Sequence, residues 1–501
     1  MDRGAVIRPS RRSFLALAGS AVVAAGCTAA REAGTPLAGS SLPGTTVAPR
    51  PDPGARRRVV VAGAGLAGLT TALDLVDAGW DVVVLEARDR VGGRVHTLHD
   101  PFTDGLHAEA GGESIDDGHD RIQALVTRFG LSLERRPDDK LLTAAVLYDG
   151  TRSTLGEFVA RREGKVGADF AAYSVALANL GEGMDPARPD QFAGAEKLDQ
   201  TTLVQFIADQ QLVAEADFLV RVEARAGFAA DPADVSLLFA VQQAVSGVSE
   251  GESGSETMRI TGGNSMLVEA MAGALGERVQ LTSPVTRIDH GADGVRVFTG
   301  ERFVDASRLV VAMPTPPLRN VEFRPALPTT AVAMVNNVAL GPAAKVVTQY
   351  QRRFWEPLGL SGFSVTDQPY GVGWSPTDSY TSDGGLLSQF ITGSVARDAA
   401  RLDDAERIRQ FQDQLRTVFP QGDADRTDHA ATVAWTLEPF TGGGYTAYQP
   451  QQLTSYWSTL RAGIGPIRFA GEHTEAMAGF MESAVRSGHR VAADIGAPPP
   501  P

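Results

Sequence analysis

A short apolar strand, a glycine-rich turn opening a helix, and a second apolar strand that ends in an acid predict an α/β chain organised around a Rossmann-like βαβ unit. The unit spans Arg57–Val95. Arg58–Ala62 is β-branched and apolar almost throughout, the pattern of a parallel strand buried on both faces. Gly63-Ala64-Gly65-Leu66-Ala67-Gly68 comes immediately after it. Leu66, Leu69, Leu73 and Val76 then recur at helical spacing, Gly79 supplies the stop, and Asp81–Leu85 is the second strand, closed by Glu86.

Each part serves the binding of a dinucleotide. Gly63 makes the tight turn, Gly65 lets the backbone approach a pyrophosphate, and Gly68 lets the helix pack closely on the strand. Ala67 lies in the first helical turn, where free N–H groups attract phosphate. Glu86 stands at the spacing of an acid that accepts ribose hydroxyls, with Ala87 and Arg88 beside it. The motif alone leaves NAD and FAD open.

Composition narrows the rest. A chain of 501 residues can bury a sizeable core and is predicted to divide into two domains, and a formal net charge of -14 argues against nucleic acid as a partner. One cysteine, Cys27, excludes an internal disulfide framework and a cysteine-based metal site; no metal site is predicted. Residues 1–27 read as an export signal. Ser10-Arg11-Arg12-Ser13-Phe14-Leu15 resembles a twin-arginine motif, the apolar stretch from Phe14 to Ala25 is too short to span a bilayer, and Ala24-Ala25-Gly26-Cys27 resembles a lipoprotein cleavage box with alanine where leucine is favoured. The expected location is periplasmic or on the outer face of the cell membrane, with a lipid on Cys27 as tether or, alternatively, an ordinary cleaved signal. Residues 28–56, rich in Ala, Gly, Ser, Thr and Pro, read as a flexible linker.

The segment after Glu86 carries a resemblance. Arg88-Asp89-Arg90-Val91-Gly92-Gly93-Arg94 resembles the pyrophosphate loop of the flavin-dependent amine oxidase family, with Gly93 and Arg94 at the cofactor. Ala108-Glu109-Ala110-Gly111-Gly112-Glu113-Ser114-Ile115 is similar to the family segment under the flavin, which places Gly112 and Glu113 against it. Asp116 and Asp117 precede a helix suggested by Ile122, Leu125, Val126 and Phe129. They are read first as its cap, and Asp116 second as an acid attracting cationic substrate. The region from about Leu141 to Thr257 reads as mostly helical, with an acidic loop at Ser249–Glu256.

Further on, Ile260–Leu267 resembles the family's second glycine pair before a helix, and Val279–Leu281 and Val285–Ile288 read as strands, with Val285 implied to meet adenine. Arg308–Pro314 is another family-like strand. Ala344–Tyr350 with Phe354-Trp355 resembles the strand whose lysine, here Lys345, faces flavin N5 through a water; the residues alone also allow a surface lysine on an edge strand. In Trp435–Tyr445, Tyr445 matches one wall of the amine cage, and Gly444 stands where some animal members carry a cysteine bonded to FAD. Arg468–Thr474 followed by Gly479–Val485 implies Gly471, Glu472 and Met481 at the flavin, a helix near Gly479 aimed at its pyrimidine edge, and Phe480 as the second cage wall. His473 is read as structural.

The resemblance spans about Arg57 to Ile495. It implies an FAD-binding domain assembled from 57–135, 258–312 and 464–497 and an α+β substrate-binding domain from 136–257 and 313–463, the amine oxidase fold. The implied reaction is hydride transfer from an amine to non-covalently held FAD, with Lys345, Tyr445 and Phe480 as catalytic candidates. Its products are an imine hydrolysed to aldehyde and ammonia or a smaller amine, and, with oxygen, hydrogen peroxide. An L-amino-acid or polyamine oxidase is the alternative, the former needing a carboxylate clamp for which Arg121 is the nearby candidate. An exported flavin-binding protein without turnover is the alternative from another class. The oligomeric state is not legible.

Overall fold

The computed structural model describes residues 57–136, 141–249 and 258–496. The export signal, Cys27, the linker, the acidic loop after Ser249 and the closing proline tail lie outside the described residues. A parallel five-stranded sheet runs in the order Ile467–Phe469, Arg308–Val311, Arg58–Ala62, Asp81–Leu85, Val279–Gln280. Its central strand is buried because alternate residues serve two cores. Val59 and Val61 pack with the helices Leu66–Asp77, Ser265–Leu275 and Met481–Ile495, whereas Val60 and Ala62 pack with Ile288, Val295 and Val297 on the other side. Those three belong to a four-stranded sheet of Arg302–Ala306, Gly294–Thr299, Arg287–Gly291 and Glu322–Arg324. The expected strand at Val285 begins two residues later, at Arg287, so that Val285 stays in the approach to the sheet.

A seven-stranded mixed sheet forms the second centre, in the order Arg426–Ala434, Ala343–Tyr350, Gly385–Thr392, Val372–Trp374, Ser364–Thr366, Ala145–Tyr148, Thr151–Thr154. The reading of 141–257 as mostly helical is corrected at its start. Ala145–Tyr148 and Thr151–Thr154 are an antiparallel hairpin turned by Asp149 and Gly150, both at positive φ. An Asp-Gly pair between β-prone residues is a hairpin signal, and it outweighs the helical character of the residues C-terminal to it. Helices do dominate from Leu155 to Ser249, the longest being Lys165–Asn179, Ala214–Phe228 and Leu237–Ser249.

Strand Ala343–Tyr350 is buried at every position. Ala344 and Val346 pack toward Phe411 and Leu415 of helix Asp404–Val418. The alternate residues Ala343 and Lys345 face the opposite way, so period two alone aims Lys345 at the interior. Register then sets its neighbours: Lys345 pairs with Phe390, and Phe390 with Val372.

Candidate active site

The cavity between the two sheets measures ≈ 480 Å³. At one end lies the glycine turn. Gly68 has no room for a side chain, since a Cβ there would come within 2.0 Å of the Gly63 carbonyl oxygen. Helix Leu66–Asp77 begins at Gly65 with no side chain capping its first amides. Uncapped amides behind a side-chain-free turn are the donors a diphosphate requires.

Glu86 is buried and holds the turn. Its two carboxylate oxygens each receive a backbone N–H, from Ala64 at 2.7 Å and Arg88 at 2.9 Å. The Arg88 guanidinium donates to Thr441 Oγ1 (2.6 Å) and Glu438 (3.2 Å). Arg94 donates to the Gly444 carbonyl at 2.9 Å and pairs with Glu472 at 2.7 Å, which joins the first motif to the last. Burial alone would raise the Glu472 carboxyl, but Arg94 and the Gly479 amide at 2.8 Å hold it below the usual range. A Cβ on Gly112 would press on Met481 at 2.9 Å, so this wall too is bare backbone, packed on an apolar side chain. The cradle therefore fits a flavin dinucleotide: glycine backbone for the planar ring, free amides for phosphate, acids at both ends.

The other end is built from side chains. Lys345, only 4% exposed on an interior strand, donates to the Glu109 carbonyl oxygen at 2.7 Å and pairs with Glu113 at 3.2 Å, its ammonium 5.0 Å from the Trp374 ring centroid. It is not a surface lysine. Glu113 also accepts the Trp374 indole N–H at 2.9 Å. Below it the Glu109 carboxyl is fully buried, and burial pushes it up to about 7 despite hydrogen bonds from Asn264 and Thr97. Tyr445 donates its hydroxyl to the Ala226 carbonyl, and its ring lies 6.3 Å from that of Phe390, which is 6.0 Å from Trp374. Phe480 meets His119 edge-on at 5.4 Å.

The structure brings Gly63, Gly65, Ala67, Glu86, Ala87, Arg88, Gly93, Arg94, Gly112, Glu113, Val285, Lys345, Tyr445, Gly471, Glu472, Phe480 and Met481 to the wall of this one cavity. Of the residues expected at the cofactor or as catalytic, Gly68 alone stays behind it, as a packing residue. Asp116 lines the cavity and does not cap the following helix. Helix Asp120–Arg128 starts after His119 with no capping side chain from there, since two residues separate it from the aspartates. Its first amides instead reach Glu482, which accepts Arg121 N at 3.2 Å and Ile122 N at 2.9 Å. Arg121 itself is exposed and is absent from the cavity wall, so it supplies no carboxylate clamp. The His473 ring is buried beneath Gly471, and burial lowers it to about 4, which keeps it neutral.

Sequence reading missed Ala226, Phe363, Val372, Trp374 and Phe390, all of which line the cavity. Val372, Trp374 and Phe390 lie on strands that carry no motif, and only the pairing register, which a single sequence does not display, brings Val372 and Phe390 beside Lys345. Ala226, on helix Ala214–Phe228, and Phe363, just before strand Ser364–Thr366, carry no motif either.

Comparison with known proteins agrees with this arrangement. A family model described as flavin containing amine oxidoreductase matches residues 66–496. The chain is 28% identical over 448 residues to an amine oxidase [flavin-containing] of Oncorhynchus mykiss, covering 87% of this chain and 85% of that protein. An L-amino acid dehydrogenase of Synechocystis sp. is 28% identical over 450 residues, covering 87% and 94%. Among solved structures, a putrescine oxidase bound to putrescine superposes with a TM-score of 0.81 at 27% identity, covering 88% of this chain and 99% of that one.

Proposed function

The chain belongs to the flavin containing amine oxidoreductase family, and from that premise we propose that it oxidises an amine at its α-carbon with non-covalently held FAD and oxygen as the electron acceptor. The observation that carries this reading is the joining, in one cavity, of the glycine cradle to a slot walled by Tyr445, Phe390, Trp374 and Phe480 with Lys345 at its base. When bound, the flavin supplies the hydride acceptor and, on reoxidation, hydrogen peroxide.

The chain's own residues bind and orient. The aromatic slot admits the uncharged amine in preference to its ammonium, because a charge buried there without a partner is costly. Lys345 places a fixed positive charge where negative charge develops, and the Glu109 carbonyl and Glu113 hold it there. Helix Met481–Ile495 presents uncapped first amides to the same cavity. Covalent anchoring of the flavin through a cysteine has no counterpart here: Gly444 precedes Tyr445, and Cys27 is the only cysteine in the sequence. Flavin released into the supernatant on denaturation supports non-covalent binding, and flavin retained by the precipitate overturns it.

The test is anaerobic mixing of the purified flavoprotein with monoamines, polyamines and L-amino acids. Bleaching of the visible flavin bands by amines supports the proposal. Bleaching by L-amino acids alone replaces it, and no bleaching by any compound favours flavin binding without turnover. The exposure of Arg121 argues against the amino-acid alternative. We extend the proposal to export by the twin-arginine route with a lipid on Cys27; fractionation of cells producing Cys27→Ala, with the enzyme still membrane-bound, would refute the tether.

A further inference from the structure

Amine oxidation in this cavity sets a condition that the aromatic slot alone does not meet. Two nitrogens of the same chemistry are needed there in opposite states: the substrate enters as free amine, whereas Lys345 acts through its positive charge. In water an alkylamine and a lysine side chain both hold their proton up to about pH 10. Burial removes that proton from either one unless a partner retains it. A fixed group in the protein therefore has to tell the two apart.

Glu113 is placed to do so. Its Oε2 is 3.2 Å from the Lys345 ammonium, and no other carboxylate among the described residues lies within ion-pair distance of that ammonium. Its Oε1 accepts the Trp374 indole N–H at 2.9 Å, so the same carboxyl fixes a wall of the slot. Arg136, buried and absent from the cavity wall, stands 3.7 Å from Oε1 and is itself held by Asp378 at 3.1 Å and the Ser375 carbonyl at 2.8 Å. A carboxyl with a cation on each side favours its ionised form. The row Lys345, Glu113, Arg136, Asp378 thus alternates in sign from the slot to the partly exposed Asp378.

The other groups around Lys345 are engaged elsewhere or carry no charge. Glu109 accepts from Lys345 with its carbonyl oxygen at 2.7 Å, whereas its carboxyl, pushed up by burial to about 7, accepts from Asn264 and Thr97. Tyr445 gives its hydroxyl to the Ala226 carbonyl. On the neighbouring strands Lys345 is paired with Phe390 and Val433. Beside Tyr380, Arg259 pairs with Glu134, and burial lowers His107 to about 4, which leaves it neutral. Helices Gly393–Ala399 and Asp404–Val418, which carry charges, pack on the opposite face of the strand, that of Ala344 and Val346.

We infer that Glu113 is the positioning residue that decides which of the two nitrogens is charged: it keeps Lys345 an ammonium under conditions in which the substrate nitrogen beside it is a free amine, and Arg136 holds Glu113 to that task. The inference rests on the amine-oxidising reading for the substrate nitrogen. The state of Lys345 is measurable with no substrate present.

The sequence has four lysines, Lys140, Lys165, Lys197 and Lys345. Carbon NMR of the oxidised holoprotein, isotopically labelled at lysine Cε, therefore gives few signals, and the one lost in Lys345→Met is that of Lys345. Its Cε shift reports the charge on the nitrogen. From about pH 6 to about pH 9 the wild-type signal is expected to stay at the ammonium position. In Glu113→Gln it should move to the amine position within that window, and Glu113→Asp should return it toward the wild-type position. The rate at which oxygen reoxidises the reduced protein gives a second reading. The ratio of wild type to Glu113→Gln should grow from near one at about pH 6 to about a hundredfold at about pH 9, as the variant approaches Lys345→Met. A wild-type signal already at the amine position near neutral pH, which needs no variant to fold, overturns the inference. An ammonium position retained in Glu113→Gln at about pH 9 also overturns it and hands the task to Glu109. If no amine bleaches the flavin, the amine-oxidising reading falls, and the hold of Glu113 on the Lys345 charge is decided by the NMR signal alone.

Discussion

The two ends of the cavity are made of different material. The cradle at Gly63–Gly68 is backbone: its turn and free amides are specified by where side chains are missing, within a few consecutive residues. The slot at Lys345 is side chains, contributed by strands Ala343–Tyr350, Gly385–Thr392 and Val372–Trp374, by helix Ala214–Phe228 and by the loop at Tyr445. A backbone site tolerates almost no substitution, and a side-chain site can be retuned one residue at a time. Cofactor binding should therefore fail abruptly under mutation, whereas substrate handling should change by degrees.

The sharpest break is expected at Gly68→Ala. The new Cβ has backbone, not a movable side chain, within 2.0 Å, so the turn has to open and nearly all bound flavin should be lost; flavin absorbance per protein after purification measures this. Lys345→Met should retain flavin but slow reoxidation of the reduced enzyme by about a hundredfold, the usual scale for removing one fixed charge from a reacting site. Rapid mixing of reduced enzyme with oxygen reads it, and an unchanged rate removes Lys345 from that step. Glu482→Ala, behind the cavity wall, should cost about 2 kcal/mol of stability, from two deserted helix amides and the loss of Arg486 as partner. Thermal unfolding tests it, with little change expected in the substrate preference. Tyr445→Phe is the mildest. It keeps the wall and removes one hydrogen bond to Ala226, worth about 1 kcal/mol. A steady-state rate more than about tenfold lower would show that the hydroxyl takes part in the chemistry.

Legibility in the sequence obeys the same division. Arg58–Ala62, the glycine turn, helix Leu66–Asp77 and Asp81–Leu85 are legible because a buried parallel strand and a phosphate turn demand particular residues in a fixed local order. The positions of Lys345 and Tyr445 are legible through resemblance, but their neighbours are not. Phe390 and Val372 acquire meaning only from cross-strand register. The misreading of Asp116 has a related cause: the true acceptor for the helix amides, Glu482, lies 360 residues from Ile122, beyond the reach of any local capping rule. The hairpin at Asp149-Gly150, by contrast, has a readable turn signal that the helical residues after it obscure.

The bond between Arg94 and Glu472 sets an order of events in the life of the chain. Strand Ile467–Phe469 and helix Met481–Ile495 close the cradle on helix Leu66–Asp77, where Thr71 reaches the Gly488 carbonyl at 3.2 Å. These are the last described elements to leave the ribosome, so the nascent protein carries an open cradle through most of its synthesis. Capture of the cofactor belongs to the finished polypeptide, and a chain interrupted anywhere before residue 467 is released without the wall that would keep a flavin in place.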